Sequence, residues 1–124
     1  MGTERTVAIP GPEGQLDARV MEIDGARTGL VMCHPHPLFS GTMDNKVVTT
    51  AARAAKGLGL NTLRFNFRGV GSSDGEHDHG VGEQQDVASA VRYAKEELGW
   101  ERIILAGFSF GAGMACLYGC DHAE

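Results

Sequence analysis

A serine set between two glycines, Gly107-Phe108-Ser109-Phe110-Gly111, is the pattern in this chain best suited to chemistry. The apolar run Ile103-Ile104-Leu105-Ala106 leads into it, and the small-residue stretch from Ala112 to Cys116 follows. Strand, tight Gly-x-Ser-x-Gly turn and helix together put a serine hydroxyl at the tip of a nucleophile elbow. Both glycines are needed because bulk on either side would collide where strand and helix backbones cross closely. The hydroxyl then stands near a helix N-terminus, whose free N–H groups can face developing negative charge. The chemistry this predicts is attack on a carbonyl carbon. In a chain with 18 glycines the bland alternative is a plain glycine-rich turn, and the flanking strand and helix weigh against it.

A serine nucleophile needs a base, and the chain has five histidines. His34 and His36 sit in His34-Pro35-His36-Pro37, where two X-Pro bonds forbid a helix and fix a stiff, extended loop. His77 and His79 flank Asp78 in the polar loop 76–82, so a Ser109–His–Asp arrangement drawn from that loop is one reading and a solvated loop the blander one. His122 follows Asp121 at the far end of the chain. A zinc site from His34, His36, His77 and His79 is a further option, although His-x-His spacing alone is weak and the prolines already explain one pair. The reading adopted has no metal and no cofactor.

Length, composition and charge set the surroundings. The 124 residues allow one domain with a real core, short for an α/β enzyme. A net charge of −5 with no basic cluster speaks against nucleic acid. No run approaches the ~18 apolar residues of a membrane span, and Met1–Pro10 lacks a signal-peptide core, so a cytoplasmic protein is expected. Three cysteines outside any paired framework agree with that; Cys116 and Cys120 lie one helical turn apart, a spacing that packing or chance explains better than a metal.

The elements that must position Ser109 read as a hairpin followed by β–α–β–α–β–α. Thr6–Ile9 and Leu16–Ile23 are strands around the turn signal Pro10–Gly14. Gly29–Cys33 is a continuous apolar run, expected of a strand buried on both faces. A helix over about 45–56, capped by Asp44 or Thr42, precedes the alternating strand Asn61–Phe67. Arg68 is expected to brace the next turn by pairing with a carboxylate such as Asp74 or Glu83. A helix from about Glu83 to Leu98 then leads through Trp100 to the elbow strand.

With these stretches placed, the sequence resembles the α/β-hydrolase superfamily, above all its small bacterial dienelactone-hydrolase-like and prolyl-oligopeptidase-like serine hydrolases. The residues that carry the resemblance are His34–Pro37, Gly41–Lys46, Arg64–Ser73, Asp78, Gly80, Gly82, Glu83, Asp86 and Gly107–Gly111. It implies an α/β fold, with strands 1 to 5 in sheet order 1-2-4-3-5 and helices on both faces. It also implies Ser109 as nucleophile, the Phe110 N–H as one oxyanion donor, and a small-molecule acyl substrate. The second donor would come from the loop after the third strand. Pro35 and Pro37 have no N–H, which leaves His36, Leu38 or Phe39, and Leu38 is preferred. The imidazoles of His34 and His36 would be structural or substrate-facing.

The chain departs from that family in one respect. There the triad acid and histidine follow the serine on loops after later strands, whereas here fifteen residues remain after Ser109. Asp121 and His122 have the right order, yet a helix over 110–121 would carry His122 roughly 18 Å away at ~1.5 Å per residue. A sheet ending at Ile103–Leu105 would also leave a flat apolar edge. The expectation is therefore a truncated chain or a homo-oligomer that covers the edge, and the competing reading is a noncatalytic module that associates through it.

Overall fold

The computed structural model describes residues 4–37 and 41–122, and for 119–122 the backbone alone. β1 (Arg5–Gly11) and β2 (Gly14–Met21) form the hairpin, with Ile9 opposite Leu16 and Gly11 opposite Gly14. The strands run further toward the turn than the Pro10–Gly14 signal suggests, leaving only Pro12 and Glu13 between them. A distant loop pins the hairpin. The Gln15 N–H donates to Asp74 Oδ2 at 2.8 Å, the Asp74 N–H returns to the Gln15 carbonyl at 2.8 Å, and the Asp17 N–H donates to Ser73 Oγ at 2.8 Å.

β3 (Thr28–Cys33) is followed by α1 (Lys46–Gly57), β4 (Asn61–Phe65), α2 (Glu83–Glu96), β5 (Arg102–Gly107) and α3 (Phe110–His122). β4 pairs antiparallel with β2 and parallel with β3, and β3 pairs parallel with β5. The sheet order β1-β2-β4-β3-β5 is the one the resemblance implies.

The α1 cap is Asn45, whose side chain accepts from the Val47 N–H, and not Asp44 or Thr42. Asp44 is drawn away by Arg64, whose Nη1 donates to it at 2.7 Å. β4 departs from its reading too. Its polar–apolar alternation suggests one solvated face, yet all five residues are buried. Asn61 is satisfied by the Ile23 N–H and the Ala26 carbonyl, and Arg64 by Glu4, Asp44 and the Met43 carbonyl. The strand also stops two residues early: Asn66 still donates to the Asp17 carbonyl of β2, but the Phe67 N–H turns to His34.

One face of the sheet carries the main core. Leu63, Phe65 and Phe67 meet Val87, Ala90, Val91 and Ala94 of α2 and Met114 and Ala115 of α3. Phe65 and Phe67 pack edge to face at 5.1 Å, and burying each such side chain stabilises by about 2–3 kcal/mol. α1 buries Val48, Ala52 and Ala55 on the opposite face. Among the described residues β5 pairs with β3 alone, and Ile104, Phe108 and Leu117 stay more than two-fifths exposed around it. Among the described residues no helix is long and apolar enough to cross a membrane.

Candidate active site

Ser109 sits at φ +59°, and His79 is the other described non-glycine residue in the left-handed region. That conformation costs a serine of order 1–3 kcal/mol, and it persists only where packing enforces it. Two glycines do the enforcing. A Cβ on Gly107 would fall 2.5 Å from the Ala112 nitrogen and closer still to the Gly111 carbonyl. One on Gly111 would fall 2.5 Å from the Cys33 carbonyl carbon and closer to the oxygens of Cys33 and His34. The Phe108 N–H donates to the Cys33 carbonyl at 3.2 Å, which ties the end of β5 to the end of β3. α3 starts at Phe110, so the Phe110 N–H at its first position has no acceptor within the helix. The Gly113 N–H donates to the Ser109 carbonyl at 3.2 Å, so the helix is already turning past the serine.

His34 lies directly beneath this turn and is fully buried. Its Nε2 accepts from the Phe67 N–H at 3.0 Å, so the proton is on Nδ1, which donates to the Pro35 carbonyl at 2.6 Å. Burial pushes its pKa down to about 4, with the Pro35 carbonyl pulling weakly the other way. Neutral His34 therefore joins the ends of β3 and β4. Below pH ~6.5 the unfolded chain takes up a proton that the folded one refuses, so stability is lost as pH falls from about 6.5 toward 4. Urea unfolding at pH 5 is expected to give about 2 kcal/mol less stability than at pH 7, a difference that His34→Asn should largely erase. The adjoining Cys33 thiol, pushed up to about 12 by burial, is inert at neutral pH.

Two other imidazoles, those of His36 and His77, flank the Phe110 ring, and His79 stands against His77. His36 stands 4.7 Å from the Phe110 ring between centroids, His77 6.0 Å, and Phe67 5.5 Å from the remaining side. His36 and His77 are 5.2 Å apart, His77 and His79 4.9 Å. The carboxylate beside His77 is Glu83, at 3.0 Å from Nδ1, whereas Asp78 Oδ2 lies over Gly82, 2.7 Å from where a Cβ would stand. Glu83 is fully buried and accepts from the Asp78 and Gly80 N–H groups at 2.8 and 3.0 Å. Both ring nitrogens of His77 are buried outside hydrogen-bond geometry, so His77 makes no hydrogen bond to Ser109. Among the described residues no three His, Cys, Asp and Glu side chains are placed to share a metal ion. Leu38 lies outside the described residues. His122 ends a helix unbroken from Phe110, roughly 18 Å along at ~1.5 Å per residue.

Beside the cluster, Arg68 braces the turn through Asp86, and not through Asp74 or Glu83. Nε and Nη2 donate to Asp86 Oδ1 at 3.2 and 3.0 Å, and the Arg68 N–H donates to Oδ2 at 2.9 Å. By its place in the sequence Asp86 is simply an acidic residue in the first turn of α2. Its partner lies 18 residues back on another element, and the sole available signal was the resemblance that included both residues.

A family model described as the alpha/beta hydrolase fold matches residues 30–124. The chain belongs to the α/β-hydrolase fold family. This hydrolase-fold chain is 46% identical to an α/β serine hydrolase homologue from Coxiella burnetii, with a TM-score of 0.88 over 96% of this chain and 58% of that one. To a serine hydrolase without lid from Xanthomonas campestris it is 38% identical, with a TM-score of 0.88 over 95% and 56%. An uncharacterised protein of Rickettsia prowazekii is 39% identical over 85% of this hydrolase-fold chain and 45% of its own length. The chain thus spans about half the length of the relatives it matches.

Proposed function

We propose that this chain carries the nucleophile and oxyanion half of a serine hydrolase acting on a small carboxylic ester or related acyl compound. The observation that carries the reading is the left-handed Ser109 at +59°, clamped between Gly107 and Gly111 at the start of α3. The relatives of 46% and 38% identity described as serine hydrolases support it. Ser109 Oγ attacks the carbonyl carbon, its proton passes to an imidazole, and the oxyanion accepts from the Phe110 N–H and from a second donor at Leu38. The ester C–O bond then breaks as the alcohol leaves with that proton, and water releases the acid from the acyl-serine. His36 and His77 form the wall beside Phe110, with His79 against His77. The base is an imidazole other than His34, which has both nitrogens engaged, and His122, which ends the far side of α3.

The test is a fluorophosphonate probe applied to the protein as the cell makes it, with the adduct mapped by mass. One adduct on Ser109, absent from Ser109→Ala, is expected. Labelling that survives Ser109→Ala, or a folded wild type that is never labelled, overturns the reading. His77→Gln and His79→Gln, run alongside, report whether either of them is the base.

A second reading rests on the uncovered β5. A strand with one open side and exposed Ile104 is a template for another chain. It predicts self-association at micromolar concentrations, and a strictly monomeric species in sedimentation equilibrium would remove it.

A further inference from the structure

A groove of about 510 Å³ lies between α1 and the β2–β4 pair, lined by Glu4, Met21, Thr49, Arg53, Lys56, Thr62 and Arg64 among others. None of the residues around Ser109 lines it. Its charge is at odds with a chain whose net charge is −5: three cations face one carboxylate. Thr49, Arg53 and Lys56 recur at helical spacing on one side of α1, and Thr62 and Arg64 stand two apart on β4, hence on one face of the sheet. Arg53 and Lys56 have no acidic partner among the described residues. Arg19, directly opposite Arg64 across the β2–β4 pair, is held by Asp17 at 2.7 Å and adds no charge to the groove.

Arg64 is the ordered member. Its Nη1 is fixed by the Met43 carbonyl at 2.9 Å and Asp44 at 2.7 Å, and that leaves the Nε–Nη2 edge turned to Glu4. Glu4 takes this edge in a two-pronged contact, Nε to Oε2 at 3.2 Å and Nη2 to Oε1 at 2.9 Å. A planar fork of this kind suits carboxylate and phosphate alike. The Glu4 side chain is 41% exposed, so it can leave without uncovering core.

We propose that this groove binds a phosphate group, free or as a phosphomonoester, and that Glu4 is its intramolecular competitor. A dianion placed on the Arg64 edge would meet Arg53 and Lys56, which Glu4 leaves without a counter-charge, and the hydroxyls of Thr49 and Thr62.

Titration of the ¹⁵N-labelled protein with inorganic phosphate at 0.15 M NaCl tests this, with sodium sulfate and extra chloride at equal ionic strength as controls. Saturable shifts are expected, confined to Glu4 and its neighbours and to about 49–56 and 62–64. Glu4→Gln should tighten binding at least five-fold, because an unrestrained phosphate no longer displaces a tethered carboxylate. The surface double variant Arg53→Gln/Lys56→Gln, which keeps the buried Arg64, should weaken it at least ten-fold. Glycerol phosphate binding as tightly as phosphate would mark a site open to monoesters, and weaker binding a site for the free ion. Shifts that grow linearly and equally with chloride overturn the proposal, as does a folded Glu4→Gln variant that binds no tighter than wild type.

Discussion

Gly111→Ala is expected to destabilise the protein by at least about 3 kcal/mol, a large part of the roughly 5–15 kcal/mol available to a domain of this kind. The added methyl would fall inside contact distance of two carbonyl oxygens, those of Cys33 and His34. A side chain in that place could rotate aside; the backbone at the end of β3 cannot. Relief requires α3 to lift from the end of β3, which also disturbs the Phe108-to-Cys33 hydrogen bond at the elbow. Gly113→Ala is the matched control. It lies two residues further along α3 with no atom within 4 Å of its Cβ position, so there alanine should stabilise by about 0.5–1 kcal/mol through helix propensity. Urea unfolding of the two variants, side by side, should give shifts of opposite sign. Equal shifts would mean that the close approach of β3 and α3 is not what shapes the turn.

Asp86→Asn is expected to cost about 3–5 kcal/mol, the range seen when one partner of a buried ion pair is removed. Burial pushes the Asp86 carboxyl upward, and the Arg68 hydrogen bonds pull against it. The asparagine would leave the buried guanidinium without a counter-charge and weaken the bond from the Arg68 N–H that fixes the turn after β4. The double variant Arg68→Met/Asp86→Leu removes both charges and should recover much of the loss in urea unfolding. If it is as unstable as Asp86→Asn, shape and backbone hydrogen bonding matter more at this corner than charge.

The parts of the fold governed by local regularities were legible. Hairpin, buried β3, helices and elbow strand follow from periodicity and turn residues, and the resemblance carried the strand order. What escaped depended on pairs distant in sequence. Nothing local to Arg68 distinguishes Asp86 from Asp74 or Glu83, because the choice is made by how α2 docks under the turn. Glu83 reads as a helix-start charge, and only the fold shows it turned back onto the N–H groups of the preceding loop. β4 looked half-solvated since its polar residues alternate, and their burial depends on Glu4 and on the segment after Cys33. At the candidate site, the tight turn at Ser109 was legible because Gly-x-Ser-x-Gly is a steric statement about one turn. The gathering of His36 and His77 around Phe110 was not, since it joins three segments.

The strand order has a consequence for how the molecule is made. β1 and β2 can close as soon as both exist, but β3 has β4 on one side and β5 on the other, and both are later in the chain. During synthesis the apolar run Gly29–Cys33 therefore emerges with two open edges, and the second closes only when residues 102–107 have arrived. Pairings of such long reach are slow, because loop-closure entropy must be met before the contacts form. The chain thus passes through an interval in which a strand buried in the finished fold is open to aggregation, and the speed of β3–β5 closure sets how long that interval lasts.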